Sequence, residues 1–295
     1  ERGGKIRVVP RVGRCMKDPV ETRANDSEDL YDITAWEPRT ALDRLAIRTY
    51  RGVVRAGRRF VVALGVLILI AILVASGAGG LIINDPFILG LAALSAIPAG
   101  LLAFYIYRTD ITSGEPPALL LATFVLAVLF AGFAAIINTA FGFVQLFPLV
   151  GVVLFFYLVV GPVEETVKLL AVWLYPYRDS RFDSVVDGAV YGAIAGLGFA
   201  AIENVLYITQ NLQTPASVLL QTGVGVVDGF AETIEAGGQI AAVRGLAGPG
   251  HVVYSAFAGY YLGLAKFNRE NAGPIVVKGL LIAAFIHATY NTLVG

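Results

Sequence analysis

The stretch from Phe60 to Ala75 reads FVVALGVLILIAILVA and carries no charged side chain across its whole length. Pro117 to Ile137, PALLLATFVLAVLFAGFAAII, repeats the pattern. About 20 such residues in a helix cross the hydrocarbon core of a bilayer, and a helix is favoured there because it satisfies its own backbone hydrogen bonds. The expected fold class is therefore all-α, a polytopic transmembrane helix bundle. The whole composition agrees: 57% of the 295 residues are hydrophobic and 15% are charged, against roughly 45–50% and 25% in soluble domains. Mean hydropathy is +0.72.

Working outward, the candidate spans are Phe60–Ile83, Phe87–Tyr107, Pro117–Ile137, a long stretch Phe141–Tyr177, Val185–Ile208, His251–Phe267 and Ile275–Val294. The count is seven, or eight if Phe141–Tyr177, interrupted by Gly161 and Pro162, is a membrane-dipping piece followed by a crossing. Ser217–Val243 carries Asp228, Glu232 and Glu235 and reads as an outer or interfacial helix. Seven arginines between Arg39 and Arg59 precede the first span, which places the N-terminal flank in the cytoplasm of a cell membrane protein. Arg108, Arg178, Arg181, Lys266 and Arg269 then fall on the same side, and Arg244 is the outside exception.

The rest of the organisation follows from polarity. The sole methionine is Met16, so Glu1–Cys15 is read as material upstream of a translation start. Residues 16–59 form a polar, acidic head followed by the arginine-rich segment, residues 60–140 hold the N-terminal spans, and residues 141–295 hold the core in which the unusual polar residues fall. A formal net charge of zero gives no basic surface for nucleic acid, and the lipid bilayer is the expected surrounding partner. The single cysteine, Cys15, excludes an internal disulfide or a cysteine zinc site, so zinc or another divalent metal would have to be held by histidine and carboxylate.

Ionisable groups inside a bilayer cost several kcal/mol and usually face a bundle interior with a function. Here they are Glu164, Glu165 and Lys168 in GPVEETVK, Glu203 in FAAIENVLY, His251 in PGHVVYS and His287 in HATYN. Helical spacing lets Glu164 pair with Lys168 four residues on, leaving Glu165 turned about 100° away and free to face another partner. Measured from the charged flanks at ~1.5 Å per residue, Glu165, His251 and His287 lie roughly 13 to 23 Å deep and Glu203 roughly 24 Å. They are expected to share one layer. A stripe of Gly188, Gly192, Gly196 and Ala200 leads to Asn204 and would let a second helix approach closely beside Glu203.

Histidines and carboxylates converging in a dry site have two hydrolytic uses. They hold a metal that acidifies a bound water, or a glutamate takes the proton from water directly, with histidines donating to the developing oxyanion. Both remain open on spacing alone, as do a proton relay or ion-coupled transporter and a purely structural Glu164–Lys168 pair. No His-Glu-x-x-His is present, Gly196-Leu-Gly198 is followed by Phe199 rather than an aspartyl neighbour, and no Gly-x-Ser-Gly occurs. Serine and aspartyl mechanisms are not expected.

In order along the chain, Glu164-Glu165-x-x-Lys168, Phe199-x-x-x-Glu203-Asn204, Arg244 with His251, and His287-x-x-x-Asn291 resemble the PrsW family, within the wider superfamily of CAAX-type prenyl proteases and bacteriocin-processing enzymes. The resemblance covers about Val160 to Asn291 and implies an intramembrane endopeptidase, often described as metal-dependent, whose catalytic core is residues 141–295. It implies that Glu164, Glu165, Glu203, His251 and His287 build the catalytic site, with Glu165 as the expected general base because Glu164 is the one spaced to pair with Lys168, and with Glu203, His251 and His287 completing a water or metal site; Lys168, Asn204, Arg244 and Asn291 support it. The last motif often ends in aspartate in that family. Asn291 removes the charge and keeps a hydrogen-bonding role. A membrane protein substrate, such as a single-span anti-sigma factor, is what the resemblance implies as partner. The superfamily also contains a non-catalytic scaffold subunit, which is the alternative; the retained double glutamate and both histidines argue for catalysis.

Overall fold

In the computed structural model of the chain, the described residues are 38, 40–80, 85–111, 114–212 and 226–294, without the side chains of 226–233. The expected upstream piece, residues 1–15, the expected acidic head, residues 16–37, and residues 217–225 of the expected outer helix fall outside them. By internal packing the chain divides into Glu1–Ala56 and Gly57–Gly295. In the first unit, Thr40 and Asp43 exchange backbone-to-side-chain hydrogen bonds of 2.7 and 3.1 Å, a reciprocal cap that starts helix α1 (Ala41–Ala75).

The second unit is a helix bundle. After α1 come α2 (Pro86–Thr109), α3 (Pro117–Ala140), α4 (Gly151–Phe155), α5 (Gly161–Leu174), α6 (Val185–Asn211), α7 (Val226–Phe267) and α8 (Ala272–Val294). Among the described residues α1, α2, α3, α6 and the run Arg269–Val294 are long and apolar enough to cross a membrane by length and composition. The protein is a multi-pass, all-α membrane protein. The two remaining expected spans are helical but take other forms.

Phe141–Tyr177 is not one helix. Gly142–Leu146 is a 3₁₀ turn, Leu149 takes φ 67°, and the helical run begins at Gly151. Between α4 and α5, Phe156–Val160 forms one π-helical turn directly before Gly161-Pro162. A proline ring collides with the carbonyl four residues earlier, and a widened turn relieves that collision without ending the helix. Gly161 then allows α8 to lie close, since a Cβ there would stand 2.6 Å from the Ala284 carbonyl oxygen.

The second difference is α7. The sequence reading separates an outer helix ending near Val243 from a crossing beginning at His251, whereas α7 is one helix of 42 residues passing through Pro249, about 63 Å long. Its middle is held on both sides of the proline. Gly245 and Gly248 meet α2 at Ser95 and Ala99, and the glycine stripe of α6 meets the residues that follow.

That stripe makes the most extensive helix pairing in the bundle. A Cβ on Gly188, Gly192 or Gly196 would fall 2.2, 2.1 or 2.3 Å from the carbonyl oxygens of Gly259, Ser255 and His251. Only hydrogen fits in those places, so α6 and α7 touch backbone to backbone as expected of small residues four apart. Helix α6 starts with a capping box: Ser184 Oγ accepts from Asp187 N, and the Asp187 carboxylate accepts from the backbone N–H groups of Asp183 and Ser184 at 2.7 and 3.0 Å. The same end is fastened to the end of α7, where Lys266 Nζ donates to the carbonyls of Tyr177, Asp179 and Phe182 at 2.8, 3.3 and 2.7 Å.

Candidate active site

Six helices contribute to one polar network, α2 supplying Ser95 at its edge. Helix α5 brings Glu164, Glu165 and Lys168, α6 brings Glu203 and Asn204, α7 brings Arg244 and His251, α8 brings His287, and α3 ends with Asn138. Glu165, Lys168, His251 and His287 are all buried, at 0, 0, 5 and 2% exposure. The expected convergence of the intramembrane polar groups therefore occurs.

The pairing within it differs from the spacing argument. Lys168 Nζ donates to Glu165 Oε1 at 2.5 Å, so the lysine belongs to Glu165 and not to Glu164. Residues three and four apart on a helix are both within reach, and neighbours on other helices decide between them. Glu165 also receives His287 Nδ1 at 2.9 Å on the same oxygen and Ser255 Oγ at 3.4 Å on the other. Glu164 turns the other way. Its Oε1 accepts from Asn138 Nδ2 at 3.1 Å, while its Oε2 is buried without a hydrogen-bond partner and stands 3.7 Å from His287 Nε2.

The second half of the network is centred on Glu203. Its Oε2 accepts from an Arg244 guanidinium nitrogen at 2.6 Å and meets His251 Nε2 at 2.8 Å. The other ring nitrogen of His251, Nδ1, lies 3.1 Å from Lys168 Nζ. Arg244 Nε in turn donates to Asn204 Oδ1 at 2.8 Å, and Asn204 Nδ2 to Ser95 Oγ at 3.0 Å. The two histidine rings meet edge to face with centroids 5.1 Å apart, and Tyr254 stacks on His287 at 5.2 Å.

Electrostatically, three carboxylates face two fixed cations. Lys168 serves Glu165 and Arg244 serves Glu203, and Glu164 has no lysine or arginine beside it among the described ion pairs. A buried oxygen with neither a cation nor a hydrogen-bond donor is costly as an anion. It is the place in the network that calls for a proton or a metal. One ligand atom each from Glu164, His251 and His287 lies within 4.8 Å of the others, a spacing and a donor set that fit a divalent ion. The set includes Glu164 where the sequence reading had Glu203.

Beside the network opens a cavity of about 280 Å³, lined by Glu203, Arg244, His251, Tyr254, His287 and Asn291 among others. It lies toward the C-terminal ends of α6 and α8, with Tyr207 and Val294 at its rim. Asn291 thus faces the same space as both histidines, one turn beyond His287. Three partners escaped the sequence reading: Asn138, Ser255 and Ser95. All are neutral and carry no burial penalty large enough to stand out in an apolar run. Ser255, four residues after His251 on one helix face, was the one with a usable signal.

With this geometry in hand, comparison with known proteins becomes specific. Residues 115–295 match the family described as PrsW family intramembrane metalloprotease. The chain belongs to the PrsW family. Among curated relatives named Protease PrsW, that of Shouchella clausii is 27% identical over 208 residues, covering 70% of this chain and 82% of the relative. Those of Geobacillus kaustophilus and Bacillus subtilis are 30% and 28% identical over 130 and 132 residues, each alignment spanning about half of the relative, 47% and 50%. No solved structure matches the chain. Residues 115–295 include every member of the network except Ser95, so the family match and the buried polar cluster coincide.

Proposed function

We propose that the chain is an intramembrane endopeptidase that hydrolyses peptide bonds of membrane-associated proteins, with Glu164 as general base. The observation carrying this reading is the buried Glu164 Oε2, without a hydrogen-bond partner and 3.7 Å from Nε2 of His287, which lines the cavity. A water placed between Glu164 and His287 would give its proton to that oxygen as it attacks the substrate carbonyl. Glu165, neutralised by Lys168, is a poorer base and instead holds His287 by Nδ1, fixing the direction of Nε2. Arg244 holds Glu203 against His251, and the Asn291 amide, facing the same cavity, is placed to donate to the developing oxyanion. Glu165, the base expected from the resemblance, is on this reading a positioning residue.

With the metal that the family description implies, Glu164, His251 and His287 would hold it, Glu164 would serve as a ligand in place of the base, and the ion would supply Lewis acidity and a water of lowered pKa. The other protein groups keep their roles beside it: Glu165 orients His287, Lys168 contacts His251, and Arg244 fixes Glu203. With the N-terminus in the cytoplasm, as the arginine distribution proposes, the cavity opens toward the outer side of a cell membrane. A single-span protein of the anti-sigma-factor kind, cut near its outer membrane boundary, is the substrate class this orientation favours.

The test is cleavage of a panel of single-span membrane substrates by purified protein in lipid nanodiscs, with and without a chelator. Defined cleavage near the outer boundary supports the reading, and loss in chelator restored by zinc assigns the metal. Folded protein that cuts nothing across a broad panel overturns the protease reading in favour of a scaffold role.

A further inference from the structure

A second polar cluster lies at the other end of α6, among the connections on the face that carries Arg108, Arg178 and Lys266. Asp110 and Glu115 come from the α2–α3 connection and Asp187 from the first turn of α6. One oxygen of each lies within 4.8 Å of the others. Glu115 is 2% exposed, and both of its carboxylate oxygens are buried without a hydrogen-bond partner. Among the described ion pairs none involves Glu115. A second observation is not acidic: the Tyr191 hydroxyl, one turn beyond Asp187, is buried and unpartnered, and the charges acting on it most are Glu115 and Asp187.

We propose that Asp110, Glu115 and Asp187 form a site for a hard divalent cation, magnesium or calcium, with the Tyr191 hydroxyl at its edge. The donors are all oxygen, which suits these ions and not a histidine- or thiolate-seeking metal. Asp187 is held in place by its capping bonds from Asp183 and Ser184. Lys266, the cation that acts on Asp187, spends its hydrogens on three backbone carbonyls. Arg181, which acts on Tyr191, is bound to Asp179. Neither is available to neutralise Glu115. A bound cation would tie the residues flanking the start of α3 to the start of α6, the helix that carries Glu203 at its other end. The inference is independent of whether the chain cleaves peptides.

The experiment measures thermal unfolding of the full chain in nanodiscs, stripped of metal by chelator and dialysed, then titrated separately with magnesium, calcium and zinc. Magnesium or calcium is expected to raise Tm saturably, by about 3 °C or more. The rise should survive in Glu164→Gln and vanish in Glu115→Gln. If Glu115→Gln does not fold, Asp110→Asn takes its place and is expected to weaken the midpoint of the titration at least tenfold. The proposal is overturned if neither magnesium nor calcium shifts Tm, or if the shift is unchanged in the Glu115 or Asp110 variant. A rise seen with zinc alone and lost in Glu164→Gln belongs to the histidine site and also overturns it.

Discussion

Lys168 and Glu165 lie at 0% exposure, 2.5 Å apart, in a protein otherwise surrounded by lipid. Removing one partner of such a pair leaves the other as an uncompensated buried charge, which costs about 3–5 kcal/mol. Lys168→Met is therefore expected to lower thermal stability sharply, and Lys168→Met combined with Glu165→Gln to recover part of the loss, as read by unfolding in nanodiscs. Glu115 makes a prediction of opposite character. Burial above all, helped by Asp110, raises its carboxyl from the ordinary 4.5 to about 8. Between those values the folded chain keeps a proton that the unfolded chain releases, so stability is full at low pH and falls as pH rises toward 8. The slope is at most about 1.4 kcal/mol per pH unit. In chelator, wild type should lose stability from pH 5 to 8 and Glu115→Gln should lose less; equal slopes would show that this carboxyl is not the titrating group. At this scale the sequence was only half legible. Ionisable residues inside apolar runs stand out, which is why Glu164, Glu203, His251 and His287 were found. Whether a lysine takes the carboxylate three or four residues before it is decided by Asn138 and His287 on other helices, and that is invisible along one chain.

Helices bring these residues together through two devices, a glycine stripe and a widened turn. The stripe predicts a graded response. Gly192→Ala would place a methyl 2.1 Å from the Ser255 carbonyl oxygen, forcing α6 and α7 apart at a cost of about 1–3 kcal/mol and separating Glu203 from His251. Gly273→Ala, where a Cβ meets nothing within 4 Å, should leave stability within about 0.5 kcal/mol of wild type. Equal stability of the two variants in a thermal shift assay would contradict backbone contact at the stripe. The spans and the stripe were legible because apolar length and four-residue spacing are one-dimensional signals. The continuity of α7 was not, because Gly248, Pro249 and Gly250 read as a break while packing against α2 and α6 holds the helix through them.

Across the whole molecule, α6 is the connecting element, with 67% of its most apolar stretch buried. At one end Lys266 of α7 holds the connection leading into it and Asp187 caps its first turn, and the other end carries Glu203 to the cavity. The glutamates of α5 meet Asn138 of α3, Ser255 of α7 and His287 of α8, so the proposed hydrolysis falls in a layer inside the bundle, beside the cavity lined by Arg244 and Asn291. The family match over residues 115–295 covers this layer and leaves α1 and α2 outside it, although α2 supplies Ser95 to the Asn204–Arg244 chain.

The most direct test is cleavage by Glu164→Gln beside Glu165→Gln and wild type, in the same nanodiscs and with folding checked by thermal unfolding. With Glu164 as the base, Glu164→Gln should keep its fold and lose about 10²-fold or more of the cleavage rate at every pH. Glu165→Gln, which disturbs the orientation of His287, should be destabilised and lose less activity once folded. Full activity in folded Glu164→Gln would contradict the account.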